Sequence, residues 1–183
     1  KASKGFLKSI EHSCNANELL MQCVDLVHQC RDASHAFFDS LVHWKLEKAP
    51  SNGRVSESNI VENTLSEPLL DLSKHLNFLK ESLESDADAV EASGFSNRTS
   101  DMALVCNALL TQEMKGCVYA VEGVPHHAKG ATVAKPVLKS MAVDVSTLFR
   151  EHLLDGEASV VLTSATLATG GGDFSLIKSR LGF

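Results

Sequence analysis

The sequence lacks the features that would place it in a special class of protein. No apolar run approaches the roughly 18–20 residues needed to cross a bilayer, and Lys1-Ala2-Ser3-Lys4-Gly5 is not followed by the apolar stretch of an export signal. The expectation is a protein that is neither membrane-embedded nor exported. Its five cysteines (Cys14, Cys23, Cys30, Cys106, Cys117) are odd in number and form no C-x-x-C pair, so neither a disulfide framework nor a zinc knuckle is indicated. A reducing, cytoplasmic setting follows as the default. Aromatic residues make up only 5% of the chain, with a single tryptophan, and the net charge is −6, so the strongly basic balance of many nucleic-acid binders is missing. The sequon Asn97-Arg98-Thr99 is of a kind that arises by chance at this length and matters only in a secreted protein.

What is present is an ordinary globular composition, 44% hydrophobic and 22% charged over 183 residues. That length corresponds to one domain or slightly more, at about 150 residues each. From about Asn17 to Lys48, apolar residues recur at Leu20, Cys23, Val24, Val27, Cys30, Phe37, Phe38, Leu41 and Val42, the stripe of a long amphipathic helix. Cys23 and Cys30 on that stripe read as small buried hydrophobes. Ala49-Pro50-Ser51-Asn52-Gly53-Arg54 ends the helix and reads as an exposed loop. Val61, Leu65, Leu69, Leu72, Leu76, Leu79 and Leu83 then alternate steps of four and three, a seam for another helix to cover. Pro68 is accommodated if that helix starts near Ser66, with proline in its first turn. A polar, acidic stretch from Glu84 to Asn97 separates it from a third helical pattern at Met102, Val105, Cys106, Leu109 and Leu110.

After Gly116 the period changes. Cys117–Glu122, Ala131–Val133 and Val137–Val143 read as strands of a small antiparallel sheet around Pro136. Asp144-Val145-Ser146 can cap a helix through Leu154 that stops at Asp155-Gly156. Ala158–Thr163 is a continuous apolar run, as in a strand buried on both faces of a parallel sheet. Thr163, Ser164 and Thr166 follow it, then Gly170-Gly171-Gly172 and a short helix within Asp173–Gly182. In open α/β sheets, functional groups gather at strand carboxyl ends, although hydroxyls there can also simply cap the next helix.

Val160-Val161-Leu162-Thr163-Ser164-Ala165-Thr166-Leu167, with the glycines and Asp173-Phe174-Ser175 after it, resembles motif III of the DinG/XPD-type superfamily 2 DNA helicases. Cys117-Val118-Tyr119-Ala120-Val121-Glu122 is similar to the family's V-Y-W-V-E strand, and Val143-Asp144-Val145-Ser146 to its P-x-D-V-S approach to motif III. Lys4-Gly5-Phe6-Leu7 is more loosely similar to a segment following its DEAH box. The resemblance is specific from Gly116 to Phe183 and general, helix for helix, before that. It implies an α+β, mainly α chain: an arch-like helical insertion with a small sheet over residues 1–142, then over 143–183 the edge of a RecA-like helicase domain. It further implies that the arch guides single-stranded or forked DNA. Thr163, Ser164 and Thr166 would couple ATP hydrolysis to DNA binding, with ATP and Mg2+ held by the parent protein and the rest of the helicase chain as partner.

The departures bear on activity. No G-x-x-x-x-G-K-S/T phosphate loop and no Asp-Glu-Ala-His are present, so the chain alone is not expected to hydrolyse ATP. In the family the iron–sulfur ligands lie upstream of the arch, so the five cysteines are not assigned to a cluster. Ala120 and Met141-Ala142 stand where the family has tryptophan and proline. Lys129, Lys135 and Lys139 near the sheet are the candidate DNA-phosphate contacts, with Lys1, Lys4 and Lys8 at the N-terminus, although the acidic balance predicts weak binding by the isolated chain. Lys178 and Arg180 can favour the carboxyl end of the last helix. His126-His127 reads as solvated loop, and none of the scattered histidines has a nucleophile motif beside it. Trp44 with Phe37 and Phe38 is either core or a base-stacking platform, core being the ordinary outcome on an apolar stripe. The rival to a helicase piece is a non-enzymatic interaction module that docks a protein through the Leu65–Leu83 seam or the first helix.

Overall fold

The computed structural model describes residues 18–83, 85–123, 135–156, 159–164, 167–168 and 171–183. The described residues fall into two compact units, one up to Met114 and within Tyr119–Lys139, the other within Lys115–Val118 and Ser140–Phe183. The fold is mainly helical with one small antiparallel sheet, as the sequence predicts. No helix among the described residues is long and apolar enough to cross a membrane.

The first unit is built on three helices: α1 (Glu18–Glu47), α2 (Ser66–Ser82) and α3 (Asp86–Thr111). Helix α1 buries Cys23, Cys30, Phe37 and Leu41, the predicted stripe. It closes where the amides of Lys48 and Ala49 both donate to the Trp44 carbonyl, and Pro50, lacking an amide hydrogen, cannot continue the ladder. Helix α2 starts at Ser66 with Pro68 in its first turn, as its sequence suggests. Asn63 takes the capping role from outside the helix, its Oδ1 accepting from the Ser66 amide at 3.1 Å. The seam then disappears into the core: Leu69, Leu72, Leu76 and Leu79 are between 8% and 0% exposed. Each such leucine contributes about 1.5–3 kcal/mol of transfer free energy. With Cys23, Cys30, Ala92 and Ala103 they form one cluster.

The expected break over Glu84–Asn97 is absent, since one helix runs from Asp86 to Thr111. Ser85 caps it by accepting from the Asp88 amide, and Asp86 and Asp88 in the first turn suit the positive end of the helix dipole. Its buried face there is made of Ala92 and Ser96, residues too small to register as an apolar stripe. The helix stops at Gln112, which adopts the left-handed conformation at φ 58°.

The sheet has the order β1 (Arg54–Val55), β2 (Cys117–Glu122), β3 (Val137–Ala142). Strands β2 and β3 were expected, whereas Ala131–Val133 lies outside the described residues. The segment Ala49–Arg54 is largely the exposed loop expected, with Pro50, Ser51, Asn52 and Arg54 exposed, but its end runs into strand β1, which was not expected. Gly53 is buried and Val55 is 5% exposed. Arg54 pairs antiparallel with Ala120, and Val55 with Tyr119. Gly53, at φ 72°, explains the turn: a Cβ there would lie 2.2 Å from the Val121 carbonyl oxygen and 2.5 Å from Lys45 Nζ.

In the second unit, α4 (Ser146–Phe149) runs into a π-helical turn (Arg150–Leu154), and α5 (Ser175–Leu181) follows. This agrees with a helix ending at Leu154. The buried strand expected over Ala158–Thr163 is not formed among its described residues, 159–163. Residues 159–164 belong to no ladder, Val161 is 82% exposed and Leu162 37%. Strand structure needs a neighbour to accept and donate its main-chain hydrogen bonds, and no described strand flanks this run.

Candidate functional site

Leucines flank the hydroxyls Thr163 and Ser164 in sequence. Leu162 and Leu167 line a small apolar cavity of about 180 Å³ together with Phe174, Ile177 and Leu181 from the α5 region. Thr163 and Ser164, between those leucines in sequence, are exposed. Thr166 lies outside the described residues. Two hydroxyls on an exposed run can exchange hydrogen bonds with a facing surface.

Two aspartates brace the helices on either side. Asp173 Oδ1 accepts from the Ser175 amide at 2.9 Å and its Oδ2 from the Ser175 hydroxyl at 2.8 Å. These bonds hold its carboxyl below the usual carboxylate range, the amide acting most strongly. Asp144 does the same for α4, accepting from the Ser146 amide at 2.9 Å. Its carboxyl is lowered chiefly by Ser146, with the Arg180 guanidinium adding a smaller pull. Gly182 lets α5 end against the start of α4, since a Cβ at its φ of 79° would lie 2.7 Å from the Ser146 carbonyl oxygen.

The candidate DNA-contact lysines differ in setting. Lys129 lies outside the described residues. Lys135 is exposed and follows a close main-chain approach, its carbonyl oxygen 2.1 Å from where a Cβ on Gly123 would stand. Lys139 pairs its ammonium with the Glu122 carboxylate on the neighbouring strand, so a phosphate would have to compete for it. Lys178 and Arg180 fall in the last turn of α5, where a positive charge suits the helix dipole.

Cys23 and Cys30 lie in the core, as their place on the stripe indicates. Burial first, and the nearby Asp71 carboxylate second, push the Cys30 thiol up to about 11. Burial also raises Cys106, partly offset by a hydrogen bond with Ser66. Both are poor nucleophiles at neutral pH. The described residues form no group of three or more His, Cys, Asp or Glu able to hold a metal ion.

Two further concavities lie in the first unit. An apolar cleft of about 550 Å³ opens between α1 and α3, with Phe38, Leu69, Met102, Val105 and Leu109 among its walls. A smaller pocket of about 260 Å³ sits where α1 meets the β1 turn and includes Trp44, Lys48, Pro50, Arg54 and Glu57. The three aromatic residues of α1 divide in two: Phe37, 3% exposed, and Phe38 meet edge to face with ring centroids 5.4 Å apart and both line the cleft, whereas Trp44 is half-buried in the small pocket. Trp44 and Lys48 are one helical turn apart, a spacing visible in the sequence, whereas Arg54 is delivered by the Gly53 turn.

No family model, no curated protein and no solved structure matches this chain.

Proposed function

We propose that this chain is a fragment of an ATP-dependent DNA helicase of the DinG/XPD type. Its helical unit guides single-stranded or forked DNA, while the run ending in Thr163, Ser164 and Thr166 couples nucleotide state to DNA grip. The observation that carries this reading is the run itself. Its residues resemble motif III in sequence, and Val161 is 82% exposed in a segment that no described strand flanks. An apolar strand-like run of this kind is stabilised by joining a sheet, and a RecA-like domain supplies neighbours on both sides. The exposed hydroxyls then face adjoining motifs, where a change in nucleotide state alters their hydrogen bonds. Lys129 and Lys135 are the proposed phosphate contacts near the sheet, with Lys139 contributing only by leaving Glu122. On this reading ATP and Mg2+ are bound by the parent protein outside this chain, and the setting is cytoplasmic.

A second reading keeps a specific observation. The Leu65–Leu83 seam is spent on the chain's own core, but Met102 and Val105 are 57% and 56% exposed at the apolar cleft. A non-enzymatic module would dock its partner there. ATP hydrolysis by the parent protein, with and without single-stranded DNA and with the 183-residue chain as the blank, separates the two. Strong stimulation by DNA in the parent alone supports the helicase, and no stimulation in either favours the docking module.

A further inference from the structure

The pocket beside Trp44 combines three features that together suit one kind of ligand. Trp44, half-buried on α1, is one of the residues lining the cavity. Lys48 and Arg54 line the same cavity, are exposed, and have no carboxylate within ion-pair distance among the described residues. Glu57 is the one acidic group lining it, and its main chain is tied back, its carbonyl accepting from Gln112 Nε2 at 3.0 Å.

The third feature is Lys45, which is only 4% exposed. Its Nζ donates to the carbonyls of Pro50 and Ser51, both at a long 3.4 Å, and no described carboxylate pairs with it. Pro50 belongs to the pocket wall, so the turn that closes the pocket carries a buried cation bonded only to neutral oxygens. A charge in that setting is screened less than one in water, and it adds to the field of Lys48 and Arg54. The pocket is thus locally cationic on a chain of net charge −6.

We infer that this pocket binds one nucleotide unit of a single-stranded nucleic acid, the base stacking at Trp44 and the adjacent phosphate held by Lys48 and Arg54. Base–aromatic stacking with cationic contact to the backbone is how single strands are held without sequence preference. The inference rests on the helicase reading for the presence of a strand, and on the pocket alone for the residues.

Trp44 is the only tryptophan, so its emission reports this pocket directly. The 183-residue chain is titrated at low salt with oligothymidylate of about twelve nucleotides, and separately with thymidine monophosphate. The oligonucleotide is expected to quench the emission saturably, and the mononucleotide not at equal nucleotide concentration. One neutralised phosphate predicts a log–log salt slope of about −0.7. Lys48→Glu/Arg54→Glu is expected to weaken binding at least about tenfold, roughly 1.4 kcal/mol, while Lys74→Glu/Lys80→Glu, with the same charge change elsewhere, leaves it within about twofold. Circular dichroism checks folding, with Lys48→Ala/Arg54→Ala as the milder pair. Absence of saturable quenching, or equal quenching in the Lys48/Arg54 variant, overturns the site. Quenching by the mononucleotide at the same affinity overturns the strand. Neither result depends on DNA-stimulated ATP hydrolysis by the parent, so this inference and the helicase reading can fail separately.

Discussion

Ser73 of α2 and Ser96 of α3 hold each other's main chain: each hydroxyl donates to the other residue's carbonyl oxygen at 2.9 Å. Both side chains are buried, at 7% and 1% exposure. The small side chains let the two helices approach closely, and the paired hydrogen bonds leave no hydroxyl unsatisfied. Ser96→Ala should cost about 1 kcal/mol. Ser96→Leu should cost about 1–3 kcal/mol more, because a branched side chain has no room there. Urea unfolding measures both, and a cost for Ser96→Leu no larger than for Ser96→Ala would refute the close approach.

Gly53→Ala is expected to destabilise by at least about 2 kcal/mol. It adds a methyl group against the Val121 carbonyl at a backbone angle of φ 72° that alanine rarely adopts. The loss should be felt first in β1, read as faster amide exchange at Val121, whose N–H donates to the Gly53 carbonyl at 2.9 Å.

Cys30 makes stability depend on alkaline pH. Its thiol is raised from 9.0 to about 11 in the folded chain. Below pH 9 both folded and unfolded forms keep the proton, and the contribution is fully present. As pH rises from about 9 to 11 the unfolded thiol ionises first, and about 2 kcal/mol of stability is lost. Cys30→Ala should flatten this slope between pH 8.5 and 11 (a window set roughly by those two values), whatever it does to stability at neutral pH. An unchanged slope would show that other groups produce it.

Thr166→Ala in the parent protein is expected to lower DNA-stimulated ATP hydrolysis about tenfold, a coupling loss of about 1.4 kcal/mol. The thermal midpoint should stay the same. Unwinding at the original rate would remove motif III from the functional argument.

Large buried side chains made the sequence legible. Leu69, Leu72, Leu76 and Leu79 give α2 a seam that hydropathy reveals, and Cys23, Phe37 and Leu41 do the same for α1. The first half of α3 was hidden because Ala92 and Ser96 bury a face with almost no apolar volume. Strand β1 was hidden because its two residues take their structure from Tyr119 and Ala120, far along the chain. Ala158–Thr163 reads as a strand from apolar character alone, which signals a strand whether or not a neighbour is present, and its described residues have no strand beside them to pair with. Thr163 and Ser164 could be named from sequence. The pocket at Trp44 could be half named, because Lys48 follows at helical spacing while Arg54 reaches it only through a turn whose geometry depends on Gly53.

The short link between α2 and α3 has a kinetic consequence. These helices pack on one another across residues 83–85, so Ser73 meets Ser96 after closing only a small loop. Arg54 must instead find Ala120. Loop closure of that span is slower and returns few contacts. The helical hairpin should therefore form early, and the β1 turn, with Lys45 beneath it and Trp44 beside it, should be among the last parts of the chain to become ordered.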